Sequence, residues 1–323
     1  MTLFADSLQD LATDPQSESL RRSMLANAER LAETFNQQHS MMTDVRDQIV
    51  SSSTVGVIPV KVNTFNSLAS ELESLNNLIV NTEQSMIRNQ KAIDFRDQRD
   101  QIVKEMAKLA DVTIAEQADG SYTLTVGDVA TVTMVTGGTV NDTLSHVLTA
   151  GPPPTTTITW AVAGTALDSP TGAIDGLKDA YDFIQARLTD IETYATNFAA
   201  EMNTQHALGF DLSGTAGGNL FDASTAGGMT VLITDPDDVA AADNATNTGD
   251  GDNALAMWNA LHTPVAGIGN DTLRNHADRI VDRVAIEKNR AETLLRSSSS
   301  SVEMFKSLIS EKSGVSIDEE MVD

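Results

Sequence analysis

Residues 60–80 read VKVNTFNSLASELESLNNLIV, the start of a stretch running to Val112 around which the rest of the chain is organised. Phe65, Leu72, Ile79, Met86 and Ile93 recur at intervals of seven, and Leu68 and Leu75 fill the intermediate position. Phe65 to Ile79 therefore carries the alternating three- and four-residue spacing of an apolar seam on one helix face. After Asp94-Phe95-Arg96-Asp97-Gln98-Arg99-Asp100-Gln101, the stripe resumes at Ile102, Met106 and Leu109. A seam this narrow does not hold a lone helix in water, so it demands partner helices with matching seams. Between Asn81 and Ile93 the pattern favours neither helix nor loop, because Thr82 and Asn89 place polar groups on the seam.

The partners lie on both sides. Leu3, Phe4, Leu8 and Leu11 mark a helix over residues 1–13, and Asp14-Pro15 predicts the next start, with Asp as N-cap and Pro in the first turn. Leu20, Met24, Ala28, Leu31, Phe35, Met42, Val45 and Ile49 follow on one face, until the serines, Gly56 and Pro59 of 51–59 interrupt. Downstream, Ile184, Leu188, Ile191, Ala195, Phe198 and Met202 form a second seam, ending at Gly209. A last long helix is expected over 271–313, through Leu273, Ala277, Ile280, Val284, Ala291, Leu294, Leu295, Val302, Phe305 and Ile309, with Gly314 as its cap.

At Val112 the period drops from about 3.6 to 2. Tyr122, Leu124 and Val126 alternate with polar residues, as do Ala130, Val132 and Met134, then Ile158, Trp160 and Val162. Asp119-Gly120, Gly127-Asp128 and Gly137-Gly138 supply turns, and Pro152-Pro153-Pro154 forms a stiff loop that cannot join a ladder. Farther on, 210–228 is a Gly-rich loop, Met229 to Ile233 a strand, 235–252 an irregular acidic run, and 253–262 a short helix. The expected fold is mainly α with inserted β. It is an elongated antiparallel helical bundle of residues 1–111 and 169–323, interrupted by a small antiparallel β-domain at 112–168.

Composition excludes several classes of function. The 323 residues carry 46 acidic and 21 basic side chains, a formal charge of −25. Such a balance argues against binding nucleic acid or an anionic membrane. The absence of cysteine removes disulfides, thiol catalysis and thiolate metal sites. Aromatics make up 4%, sparse for a ligand-binding enzyme.

Sites of chemistry are hard to assemble. His39, His146, His206, His262 and His276 are scattered, with no metal-ligand spacing or triad context. His206 is expected to cap the helix end before Gly209. Asp235-Pro236-Asp237-Asp238 and Asp250-Gly251-Asp252-Asn253 lack the glutamate a calcium loop requires, and Gly214, Gly217 and Gly218 do not lie between a strand and a helix. No catalytic, cofactor-binding or metal-ligating residue is assigned, no cofactor is expected, and the chain reads as a non-enzyme. The Arg96-Asp97 and Arg99-Asp100 alternation suits ion pairs within a helix or to a neighbour, with a subunit contact as the alternative.

Three stretches resemble a known family. Phe95 to Glu105, FRDQRDQIVKE, followed by Leu109-Ala110-Asp111-Val112, resembles the LDQRDQLVKELSQLVDV signature of flagellar hook-associated protein 1 (FlgK). Phe198 to Phe221, FAAEMNTQHALGFDLSGTAGGNLF, is similar to its FNAQHxAGxDLNGxxGxxFF segment, and Ser313 to Glu320 resembles the junction before its terminal helix. Val231 to Asp235 matches in order. The resemblance implies a structural part of the bacterial flagellum, the hook–filament junction, exported to the cell exterior by the flagellar type III route. It implies neighbouring copies of the same subunit in a helical tube, with hook protein, hook-associated protein 3 and an export chaperone as further partners. It also implies that the segments forming the inner core of the tube lie outside this chain, which alone would be a monomer. A surface adhesin using the β-domain, flagellin itself or a hook-associated protein 3 relative are the alternative readings.

Overall fold

The computed structural model describes residues 1–85, 91–222 and 226–313. Seven helices are present among them: α1 (Thr2–Thr13), α2 (Glu18–Ile49), α3 (Val57–Ser85), α4 (Ile93–Leu109), α5 (Ala173–Leu208), α6 (Asp252–Ala260) and α7 (Leu273–Ser313). Between α4 and α5 lie β1 (Val112–Glu116), β2 (Tyr122–Val126), β3 (Val132–Thr136), β4 (Thr139–Val140), β5 (Leu144–Thr149) and β6 (Thr155–Trp160). Four two-residue strands follow: β7 (Phe221–Asp222), β8 (Thr230–Val231), β9 (Pro264–Val265) and β10 (Asp271–Thr272). The chain is thus mainly helical with small antiparallel sheets, as its periodicities predict.

Two compact units divide the chain. The first comprises Met1–Ala32, Thr193–Ser224 and Thr230–Asp323; the second comprises Glu33–Glu192 and Thr225–Met229. In the second unit, β1 to β4 form a four-stranded antiparallel meander, with Ile114 opposite Leu124, and β5 pairs with β6 from Leu144–Trp160 to Thr149–Thr155. The seam of α3 is buried as its spacing demands: Phe65, Leu72 and Ile79 are fully enclosed, with Leu75 beside them. Its cover is more than helical. Phe65 and Leu72 share one core with Met106 of α4, Leu124 and Val135 of the meander, Trp160 of β6, and Ile174 and Tyr181 of α5. Burying a large apolar side chain contributes about 1.5–3 kcal/mol, so this shared core dominates the unit.

Several expectations need correction. Ile93 is 65% exposed, because it opens the first turn of α4 instead of continuing the α3 seam; Met86 lies outside the described residues. Leu3 and Val45 also face solvent although Phe4, Leu8 and Leu11 on the one expected stripe and Ile49 on the other are buried. Pro59 is buried in the first turn of α3, so the helix begins before the residue expected to block it. Helix α2 starts at Glu18, not at Pro15, because Ser17 N–H bonds to the Asp14 carbonyl at 3.1 Å and closes a turn. Strand β5 goes beyond the sequence reading, and β6 stops before Val162, which is 77% exposed.

The first unit is built on aromatic packing. Phe4 of α1, Phe198 of α5 and Phe221 of β7 meet edge-on, with centroids 5.3–6.0 Å apart. Helices α1 and α6 pack together, and β7 pairs with β8. The expected strand over 229–233 shrinks to Thr230–Val231. Along α7, Leu273 is buried, but Val284, Leu294 and Leu295 lie open to solvent, against the expectation of a covered seam. The side chains of Val302, Phe305 and Ile309, and the Gly314 cap, lie outside the described residues.

Candidate functional site

Helix α4 carries the first signature segment, and its two arginines turn inward. Arg96 donates from Nε and Nη2 to the two carboxylate oxygens of Glu83 at 2.7 and 2.8 Å, and from Nη1 to Glu116 at 2.6 Å. Glu83 also accepts the Ala92 N–H at 2.9 Å, satisfying the N-cap residue of α4. The Arg96 hydrogen bonds push the Glu83 carboxyl down to about 2 against the opposing pull of burial. Arg99 is fully buried. Its Nη1 donates to the Gly120 carbonyl at 2.6 Å, and its guanidinium lies 3.2 Å above the Tyr122 ring centroid. Gly120 is required here: its φ is +87°, and a Cβ would strike Arg96.

These contacts span elements, from α4 to α3 and to the β1–β2 hairpin. Along α4 itself the Arg99–Asp100 pair is long, with Arg99 Nε 3.8 Å from Asp100, while Lys108 pairs with Glu105 at 2.6 Å one turn on. Asp97, Gln98, Gln101 and Lys104 form the exposed face of the same helix. A cleft of about 430 Å³ beside the junction is lined by Glu83, Lys91, Arg96, Glu116 and Asp119. The carboxylates of Glu83, Glu116 and Asp119 already accept hydrogen bonds from Arg96, Ala92 or Ser121. The arrangement fastens α3, α4 and the β1–β2 hairpin together.

The second signature segment closes α5 in the other unit. Asn203 Oδ1 accepts the Leu220 and Phe221 N–H groups, both at 2.8 Å, and Nδ2 donates to the Phe221 carbonyl at 2.8 Å. Gln205 donates to Asn253 at 2.8 Å, and Asn253 donates to the Ala240 carbonyl at 2.6 Å. His206 does not cap its own helix. Its Nδ1 meets the Gly218 carbonyl at 2.7 Å and its Nε2 accepts the Ala240 N–H at 2.9 Å. Gly217 packs so closely on His206 that a Cβ there would collide with it. Arg21, also fully buried, donates to the carbonyls of Pro15, Pro236 and Val239 at 2.6, 3.0 and 2.7 Å.

The other histidines stay apart. His39 pairs with Glu192 at 3.2 Å, His146 bonds Thr156 at 2.6 Å, His262 lies against Trp258, and His276 stacks on Tyr194. Asp243, Asp250 and Asp252 bring carboxylate oxygens within 4.8 Å of one another, but Asp250 accepts the backbone N–H groups of Asp243 and Asp252, so the group is a hydrogen-bonded acidic turn. Asp235 caps a short turn by accepting Asp237 N–H at 3.1 Å. No helix among the described residues is long and apolar enough to cross a membrane.

Sequence reasoning missed three asparagines, Asn76 buried and Asn36 and Asn66 half-buried. Asn66 and Asn76 of α3 each bind one strand residue at both its N–H and its C=O, and Asn36 does the same to Met229. Their signal was present as polar residues bordering an apolar seam, but the partners are backbone groups that no side-chain pattern reveals.

Helix-rich units with small antiparallel sheets, their most buried polar side chains bound to backbone groups, define a mainly α class of fold. Within it, the family model for the flagellar hook-associated protein FlgK helical domain matches residues 1–221, and the chain belongs to that family. Flagellar hook-associated protein 1 of Escherichia coli (strain K12) is 29% identical over 227 residues, covering 68% of this chain and 40% of that protein. The Bacillus subtilis (strain 168) protein of the same name is 25% identical, covering 98% of this chain and 69% of its own length. The chain thus spans about two fifths of the length of the Escherichia coli relative. The solved structure of the flagellar hook junction protein FlgK from Burkholderia pseudomallei shares the fold, with a TM-score of 0.54 and 24% identity over 68% of this chain and 39% of that one.

Proposed function

We propose that this chain forms the helix-rich part of a subunit at the junction between flagellar hook and filament, and that it acts by packing sideways against neighbouring copies, without enzymatic activity. The carrying observation is the family match over residues 1–221. The exposed Val284, Leu294 and Leu295 on α7 support it, because an assembly subunit keeps apolar surface for its neighbours. In this reading the helical parts, 1–111 and 169–323, make the lateral contacts, and the strands of 112–168 form an outward insertion. Hook protein, hook-associated protein 3 and an export chaperone are its partners, and its place is the exterior of the cell.

The test is a strain lacking the gene. It should be non-motile and shed unpolymerised filament protein into the medium, with both defects reversed by the intact gene. Normal filaments and swimming in the deletion strain would overturn the proposal.

A further inference from the structure

His206 stands out among the buried titratable groups because its two ring nitrogens have partners of opposite kind. The Gly218 carbonyl can only accept, so Nδ1 carries the hydrogen across that 2.7 Å contact. The Ala240 N–H can only donate, so Nε2 must offer its lone pair across 2.9 Å. Both contacts hold only for the neutral ring with its hydrogen on Nδ1.

We propose that His206 is a proton-operated latch: neutral, it holds the 209–218 loop and the 236–242 loop on the last turns of α5, and a second proton on the ring releases them. Protonation at Nε2 sets one N–H against another at 2.9 Å and strips the Ala240 amide, fully buried, of its acceptor. The ring has little room to turn away, since Gly217 sits against it. The loops release together because they are joined to each other, with Phe210 N–H to the Ala242 carbonyl at 2.8 Å and Ala242 N–H back to Phe210 at 3.2 Å. The charged group facing the ring from α2 is Arg21, which repels an imidazolium. The carboxylates of Asp211 and Asp237, one in each loop, act on Arg21, and α6 contributes the neutral Asn253.

Burial, first, and Arg21 lower the His206 pKa, against the Gly218 hydrogen bond. A folded pKa below the unfolded value of about 6.5 means that the stabilisation is complete above that value and is lost as pH falls through and below it.

Hydrogen exchange at pH 7.5 and pH 5.0, corrected for intrinsic rates, tests the latch on the intact chain. Protection of the amides of 209–218 and of Ala240 should fall at least tenfold at the lower pH, while α3 and α4 keep theirs. In His206→Gln, whose amide offers both a donor and an acceptor without titrating, this difference should vanish. Should that variant not fold, ring-nitrogen NMR of the wild type decides: the Nδ1–H tautomer at neutral pH, with titration coinciding with loss of protection, upholds the latch. A His206 pKa at or above 6.5, or equal protection at both pH values, overturns it.

Discussion

Asn76 and Tyr122 are bound to each other as two strands would be: Tyr122 N–H donates to Asn76 Oδ1 at 2.9 Å, and Asn76 Nδ2 donates back to the Tyr122 carbonyl at 2.9 Å. The same amide reaches the Gly137 carbonyl at 2.7 Å, so one helical side chain closes the end of two strands. Asn76 is fully buried, which water cannot repair if the amide is lost. Asn76→Ala leaves the Tyr122 N–H and the Gly137 carbonyl without partners, while the Tyr122 carbonyl keeps the Gly137 N–H at 3.2 Å, and should cost about 2–3 kcal/mol. Asn76→Asp should cost as much, because a carboxylate cannot donate to either carbonyl. Urea denaturation midpoints measure both, and an Asn76→Ala midpoint equal to the wild type would show that the side chain is dispensable.

Arg99 tests whether charge or shape matters at the β1–β2 turn. A lysine in its place keeps the charge but loses the planar face above Tyr122 and the fixed reach to Gly120. Arg99→Lys should lower stability by about 1–2 kcal/mol, the range of a desolvated cation–π contact plus a weakened hydrogen bond. Thermal melts of the two proteins under identical conditions give the difference.

Glu83 sets a pH window. Its carboxyl sits at about 2 in the fold against an ordinary value of 4.5, held down chiefly by the hydrogen bonds from Arg96. A depressed native pKa contributes stability that is complete above about pH 4.5 and drains away as pH falls toward 2. Glu83→Gln should therefore cost about 1–2 kcal/mol at pH 7, and the gap to wild type should narrow by pH 3. Urea titrations at the two pH values give both gaps, and a gap that widens in acid would contradict the assignment.

How far the chain could be read depended on the range of each interaction. The seam from Phe65 to Ile79 was legible because its period is local and its burial obeys that period. Ile93 was misplaced since the same count of seven continues across a chain segment that does not stay in one helix. Strand β5 hid because Ser145, His146 and Val147 do not alternate cleanly, and His146 is buried through its bond to Thr156. The roles of Arg96 and His206 escaped for another reason: both residues stood out, but Glu116, Gly218 and Ala240 lie 12 to 34 residues away, and two of those partners act through the backbone. Aromatic scarcity was visible, whereas the gathering of Phe4, Phe198 and Phe221 at one point depended on the fold.

That gathering is the last feature to test. Phe198 is fully buried between Phe4, at 5.9 Å, and Phe221, at 5.3 Å, with Tyr194 one turn away. Removing the ring deletes two edge-on contacts and opens a cavity that three separate elements border, so partial collapse cannot refill it. Phe198→Ala should cost about 3–5 kcal/mol, and Phe198→Leu, which keeps most of the volume, about 1–2 kcal/mol. The loss should also be local. Helix α1 is held in part through Phe4, so its amides should exchange faster in Phe198→Ala, while those of the β1–β4 meander, which draws on a different core, should keep their protection. Uniform loss of protection across both units would show that they unfold as one, and the separate anchoring of α1 would have to be given up.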